Sequence, residues 1–284
     1  MNKKLTKISI LVLLALLAVT LIILPYSRFI EPNWIEVKKV TIRSDKITPE
    51  LSKVKIVQIS DLHIERIGYR EKKLIKIISR LKPDIIFITG DFVTYRKDLP
   101  SCLTILRQIK AKNGIYAILG NHDYYQFHES ELIPKLQEAG INVIRYGNLK
   151  LDLGKGRKIW IVGLSDHYGE LARYGQPHFL RDAFAKIPVG DIKIFLTHNP
   201  DVAALDALRE FHPDLILAGH THGGQFGIES LRKYYWYAER SDYMAGLFKV
   251  NGMPLYVNRG IGTITKPVRF FARPEVTVIK LREK

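Results

Sequence analysis

The sequence predicts an α/β domain carried behind one N-terminal apolar helix. Three observations predict it. From Val54 onward, short apolar runs alternate with amphipathic segments, the pattern of strands and helices layered on a sheet. Five of those runs stop abruptly at Asp, Asn or His beside a turn, where the C-terminal edge of such a sheet gathers ligands. Ahead of them, Ile8 to Leu24 carries no charge and, apart from Ser9 and Thr20, nothing polar.

Residues 1–7 form a basic segment with Lys3, Lys4 and Lys7 in front of the apolar run 8–24. At ~1.5 Å per residue the run spans about 26 Å, enough for a thin bilayer. A secretory signal is the competing reading. Pro25-Tyr26-Ser27-Arg28-Phe29 offers no small-x-small cleavage site and no cysteine follows, so an uncleaved anchor is expected. Lys3, Lys4 and Lys7 are balanced by Arg28, Lys38, Lys39 and Arg43 on the other side, which leaves sidedness open. Residues 25–39, with Tyr26, Phe29 and Trp34, read as an interfacial linker. Val40 and Ile42 then alternate with polar residues as a first strand, opening one large domain over 40–284.

Within that domain Val54–Ser60 leads into Asp61-Leu62-His63, and Asp84–Thr89 into Gly90-Asp91. Ile115–Leu119 leads into Gly120-Asn121-His122-Asp123, and Ile192–Thr197 into His198-Asn199-Pro200. Leu215–Ala218, too short for a helix, leads into Gly219-His220-Thr221-His222. Amphipathic helices are predicted over Arg70–Leu81, Leu99–Ile109, Ser130–Ala139 and Val202–Arg209. Pro83 and Pro213 act as stops after the first and last of these. Asn251-Gly252 is the preferred two-residue turn for a hairpin between 247–250 and 254–257, and Glu275–Leu281 reads as a final strand. The aromatic run Tyr234-Tyr235-Trp236-Tyr237 is either core or a lip for lipid or substrate.

A single cysteine, Cys102, excludes an intrachain disulfide framework. The net charge of +16 favours anionic partners: membrane headgroups, phosphorylated substrates or nucleic acid. It also serves simply to hold an anchored protein on an anionic bilayer. A nuclease is disfavoured by the apolar helix and by the lack of a second basic domain.

The chemistry is concentrated at the strand ends. Five of the nine histidines follow predicted strands directly. In an extended chain, residues two apart point the same way, so His220 and His222 can converge. Asp and His buried together are costly unless something compensates, and two divalent metals would. The candidate metal ligands are Asp61, His63, Asp91, Asn121, His198, His220 and His222. Asp91, central in their order, is the expected bridging carboxylate. Such a pair supports in-line displacement at phosphorus by hydroxide, and one histidine must stay uncoordinated as general acid. His122 is that candidate.

Asp61-Leu62-His63, Gly90-Asp91, Gly120-Asn121-His122-Asp123, His198 and Gly219-His220-Thr221-His222 together resemble the motif set of the calcineurin-like metallophosphoesterase superfamily, from about residue 40 to the C-terminus. The resemblance implies a four-layer αββα sandwich and a dinuclear centre. It implies one metal on Asp61, His63, Asp91 and His222, the other on Asp91, Asn121, His198 and His220, and His122 beside the scissile phosphate. Manganese, iron and zinc all suit these donors. The protein phosphatase branch has a second Asp where this chain has Thr94, which disfavours a protein serine/threonine phosphatase and leaves Asp123 as a substitute orienting group for His122.

Glu31-Pro32-Asn33-Trp34, Gly223-Gly224-Gln225, Asn258-Arg259-Gly260-Ile261-Gly262, Pro267-Val268-Arg269-Phe270 and Arg273-Pro274-Glu275 are similar to a bacterial membrane-associated branch. That branch includes small phosphodiesterases and the UDP-2,3-diacylglucosamine pyrophosphatase of lipid A synthesis. It implies a membrane-anchored phosphodiesterase or pyrophosphatase acting on a lipid-linked phosphate, or more generally on soluble or cell-envelope diesters. No nucleic-acid partner is expected. Asp166, Arg259 and Arg269 are candidate substrate contacts, with His167 beside Asp166. A non-catalytic metal-binding scaffold is the reading from another class, disfavoured because such a protein is free to lose ligands and this sequence keeps them all.

Overall fold

A computed structural model of the chain describes residues 3–166, 177–228 and 241–284. His167 and the run Tyr234–Tyr237 lie outside the described residues. Helix α1 (Lys3–Pro25) is followed by β1 (Glu36–Arg43), β2 (Lys55–Ile59), α2 (Tyr69–Leu81), β3 (Ile85–Thr89), α3 (Leu99–Leu106) and β4 (Ile115–Ile118). Then come α4 (Asn121–Gln126), α5 (Glu129–Glu138), β5 (Ile141–Val143), β6 (Tyr146–Asp152), β7 (Lys158–Leu164) and α6 (Pro177–Phe184). Strands β8 (Lys193–Thr197), β9 (Leu215–Ala218), β10 (Gly246–Val250), β11 (Met253–Val257) and β12 (Glu275–Arg282) complete the order.

The strands form two six-stranded sheets, ordered β1-β12-β2-β3-β4-β5 and β10-β11-β9-β8-β7-β6. Alternation along β3 shows why they stack. Ile85 and Phe87 point into a core shared with Ile161, Leu196, Leu217 and Tyr256 of the facing sheet. Ile86 and Ile88 point the other way, beneath α2, α3 and α5 with Leu74, Ile105 and Leu136. The second sheet's outer face packs Phe195 and Ile216 against Leu180 and Phe184 of α6. Helices, sheet, sheet, helices: this is the four-layer sandwich, and central strands buried on both faces, such as β3 and β9, are almost wholly apolar.

Strands β2, β3, β4 and β5 run parallel, as do β7, β8, β9 and β11. Their C-terminal ends meet along one edge. Gln58 ties the two sheets together just below that edge, its Nε2 donating to the Ala218 carbonyl at 2.9 Å.

Four expectations are corrected. The first strand begins at Glu36, not Val40, because β1 pairs along its whole length with β12, from Glu36 opposite Glu275 to Arg43 opposite Arg282. Residues 25–39 are not a linker. Tyr26–Ile30 continues α1 as a wide helical turn and Glu31–Asn33 adds another. Ser27 and Glu31 are buried, the Ser27 carbonyl accepting from Arg269 N–H at 2.9 Å and the Glu31 carboxylate from Ala272 N–H at 2.6 Å. The helix expected over Val202–Arg209 is two short turns, Pro200–Ala204 and Asp206–Glu210, split by an extended Leu205 (φ −62°, ψ 128°). Splitting there lets Val202, Ala203 and Leu208 all face the core. The third helix stops at Leu106, three residues before the expected Ile109.

The Asn251-Gly252 turn is as expected, with φ of 50° and 84° joining β10 to β11. From Lys7 to Leu24 helix α1 is exposed apart from a half-buried Ile23, and it is long and apolar enough to cross a membrane, by length and composition.

Candidate metal centre

Asp61 and His63 follow β2, Asp91 follows β3, and Asn121 opens α4 after β4. His198 follows β8, and His220 and His222 follow β9. All seven side chains are buried, and the backbone is bent to bring them together. Asp61, His63, Asp91, His220 and His222 have φ of 47°, 38°, 57°, 73° and 51°. Left-handed backbone costs a non-glycine residue roughly 1–2 kcal/mol, and five such residues at one sheet edge mark a place where geometry is held against local preference. Neighbouring glycines make room. A Cβ on Gly219 would overlap Ser60 Oγ and Asp61 Oδ2, and one on Gly120 would overlap Asp91 Oδ1.

Asp91 is the hub. Its Oδ2 lies 3.4 Å from His63 Nε2 and 3.3 Å from His198 Nε2. Its Oδ1 accepts the backbone N–H of His122 at 3.0 Å. On one side, Asp61, His63 and His222 bring ligand atoms within 4.8 Å of one another; on the other, Asp61, Asp91 and His198 do the same. His222 Nε2 is 3.5 Å from Asp61 Oδ1, and His220 Nδ1 is 3.1 Å from His198 Nε2. Two donors on one ion at about 2.0–2.2 Å, roughly 90–109° apart, lie about 2.8–3.6 Å from each other. The observed separations are edges of that kind.

The tautomers agree. His198 Nδ1 donates to the Thr89 carbonyl at 2.7 Å, so the neutral tautomer this bond selects has its lone pair on Nε2, the nitrogen that faces Asp91. His63 Nδ1 shares a 3.0 Å hydrogen bond with Thr94 Oγ1, which frees its Nε2 in the same way. Among the described residues His63 Nε2, His222 Nε2 and Asn121 Oδ1 are buried with no hydrogen-bond partner. Orphaned acceptors at one point are costly unless a cation meets them.

Electrostatics tell the same story. Burial disfavours charge on Asp91, but His198 and His63 outweigh it and hold the carboxyl well below the usual range. Burial likewise opposes a charged His198, yet Asp91 and Asp61 push it well above an ordinary histidine. Burial, and then His198 itself, push His220 down to about 3. Burial and then His63 push His222 well down, while burial raises Asp61 despite His198. These shifts run in opposite directions because carboxylates and imidazoles are buried against one another. Divalent cations suit them all, and the donor set of carboxylate, imidazole and amide oxygen is one they accept.

The remaining candidates sort differently. Asp123 does not orient His122. Its carboxylate accepts N–H bonds from Asp91, Phe92 and Gly120, each at 2.9 Å, and so clamps the Asp91 loop to the turn before α4. His122 is half-buried, its ring 5.0 Å from that of His63 and 5.6 Å from that of Tyr125. Asp166 is buried at the same edge, near enough to contribute to the raised His198 value.

Arg259 and Arg269 are corrected as substrate contacts. Arg259 is engaged by Glu36 at 2.5 Å and Glu275 at 2.7 Å. Arg269 is fully buried, donating to the carbonyls of Gly262, Ala272, Arg259 and His222. Both guanidinium groups hold the C-terminal loops together.

Thr94 was visible in sequence only as a missing carboxylate, and its role toward His63 went unread. Thr94→Val keeps the shape and removes that hydrogen bond. Affinity for manganese is expected to fall about tenfold, measured by titration of the metal-free protein. Unchanged affinity would show that packing alone orients His63.

Residues 54–224 match the family model described as calcineurin-like phosphoesterase. The chain is 32% identical to the uncharacterized metallophosphoesterase YkuE of Bacillus subtilis (strain 168), covering 90% of this chain and 89% of that protein. It is 29% identical to phosphodiesterase YaeI of Escherichia coli (strain K12), covering 90% and 92%. A Danio rerio transmembrane protein with metallophosphoesterase domain is 29% identical over 87% of this chain and 57% of its own length.

Proposed function

This chain belongs to the calcineurin-like phosphoesterase family, and from that premise we propose a two-metal phosphodiesterase held at a membrane by α1, with His122 as its general acid. It is a phosphoester hydrolase; the proposal concerns its ligands, its acid and its substrate. The observation that carries it is the position of Asp91 Oδ2 between His63 and His198. One carboxylate oxygen facing both halves of the cluster is what a shared ligand requires. Asp61, His63, Asp91 and His222 would hold one cation, and Asp91, Asn121, His198 and His220 the other. Manganese, iron and zinc fit the donors equally.

A pair of divalent cations supplies an activated water at neutral pH and offsets the charge of a phosphate. The protein's own part is positioning and proton transfer. Asp123 and Thr94 fix the Asp91 loop and the His63 ring. His122, held by its N–H on Asp91 and only half-buried, is free to deliver a proton from its ring to the departing alkoxide. Burial, partly offset by Asp91, lowers its pKa, so its proton is given up readily.

His122→Ala is expected to lower kcat about 10²–10³-fold for a diester with an alkoxide leaving group and much less for bis-p-nitrophenyl phosphate, whose nitrophenolate leaves without a proton, with metal content unchanged by elemental analysis. Loss of metal alongside activity would make His122 a ligand instead. Retained metal with no turnover in the unaltered protein would favour a scaffold.

The substrate is read as an amphipathic diester or pyrophosphate. The exposed apolar helix, the +16 charge and the membrane-protein relative all support a lipid-linked substrate at a bacterial cell membrane. UDP-2,3-diacylglucosamine, and with it lipid A synthesis, is one specific form within the branch that the chain resembles, and no motif selects it over a general diester. A screen of UDP-linked lipid against soluble diesters tests it, and turnover of soluble diesters alone would rule the specific form out.

A further inference from the structure

A second cleft, of about 480 Å³, opens at the foot of α1. It is lined by Arg28, Arg66, Arg70 and Lys266 against only two carboxylates, Glu65 and Glu71. Glu71 is already committed, accepting from Gly68 N–H at 2.9 Å and from Arg70 Nε at 2.8 Å. Arg28, Arg66 and Lys266 make no ion pair among the described residues, so their charge is uncompensated. We propose that this cleft is a binding site for the phosphate headgroup of an anionic phospholipid of the bilayer that α1 enters.

Position argues for a lipid over a free anion. Arg28 lies three residues beyond the end of α1 on a continuing helical turn, so its Cα stands roughly 4.5 Å past Pro25. The headgroup layer is about 5–7 Å deep on each side of the hydrocarbon. The turn is anchored to the domain by Ser27 and Glu31 and does not swing freely. A cation at this depth meets lipid phosphates before anything else.

The rim has the matching composition. Tyr69 and Tyr95, which line the cleft, are more than half exposed, and so are Phe29 and Ile30, which with Trp34 and Tyr69 line an adjoining hollow. Arg28 sits 5.1 Å over the Phe29 ring and Arg273 4.2 Å over that of Trp34. Exposed aromatic rings interleaved with cations are the composition of an interfacial belt. The inner wall of the cleft is Thr94, which bonds His63. The cleft therefore adjoins the candidate metal centre through Thr94.

The inference rests on the membrane-anchored reading above, and the experiment separates the two. Full-length protein in non-ionic detergent is titrated with dihexanoyl phosphatidylglycerol, with dihexanoyl phosphatidylcholine and with inorganic phosphate, while bis-p-nitrophenyl phosphate turnover is followed in parallel. The glycerol lipid is expected to bind most tightly. Arg66→Gln and Lys266→Gln should each weaken it about fivefold, from the roughly 1 kcal/mol that one basic residue contributes near an anionic surface. Diester turnover by both variants should match the unaltered protein. Equal binding of the two lipids, equal binding of inorganic phosphate, or full affinity in both variants would overturn the proposal. Absent turnover in the unaltered protein would instead count against the hydrolase reading, and lipid binding lost in the variants would still uphold the cleft.

Discussion

Asp91→Asn is expected to reduce phosphodiester turnover by about four orders of magnitude, the scale seen when one member of a unit that acts together is removed. The substitution is nearly isosteric, so the loss is one of charge. Asp91 Oδ2 faces His63 at 3.4 Å and His198 at 3.3 Å, one oxygen close to both rings, while Asp61 lies within 4.8 Å of each of their ligand atoms. Asparagine can still accept the His122 N–H at the Oδ1 position, which should preserve the entry into α4. An amide oxygen, without the negative charge, balances two divalent ions poorly. Kinetics paired with elemental analysis distinguish the possible causes. Turnover should fall together with bound metal, and the rise in Tm on adding manganese should shrink. A variant with full metal content and normal rate would remove Asp91 from the centre of the reading.

The second large effect is expected from stripping metal with a chelator. Turnover should vanish and return on adding manganese, because the chain's own groups supply no substitute for an activated water. Stability should fall as well. Metal present at about a hundred times its dissociation constant contributes roughly 2.7 kcal/mol per site, which for a domain of this size corresponds to a shift of about 5–10 °C in Tm. The reason is local. Without ions, buried His63 and His222 nitrogens and the Asn121 oxygen have no partners, and carboxylates and imidazoles compete for protons at close range. An unchanged Tm on metal removal would mean that the apo cluster is satisfied in some other way.

How much of this was legible beforehand differs between neighbours in the same loop. The runs ending at Asp61, Asp91, His198 and His220 read as strands because short, mostly apolar segments rich in β-branched residues fit a buried sheet. That signal is local, and the structure places strands there. Convergence of the flanking Asp and His residues followed from their common position after parallel strands. The contacts of Thr94 and Asp123 were not legible, for the opposite reason. Their partners are His63, 31 residues away, and the backbone N–H groups of Asp91, Phe92 and Gly120. Nothing in either residue's own surroundings names those partners. Arg269 is the extreme case: a cation expected to meet phosphate spends its guanidinium on backbone carbonyls in the interior.

By itself the sequence determined the α/β class, the apolar N-terminal helix and the set of side chains that stand at one sheet edge, because each is written in residue order and period. Tertiary structure alone decided that β12 enters between β1 and β2, that the turn after α1 is bound to the domain, and that one oxygen of Asp91 faces both the His63 and His198 rings. Those choices depend on groups far apart in the chain, such as the His220 N–H on Asp61 across 159 residues. Hydrogen bonds of that reach exist only after the sheets have packed.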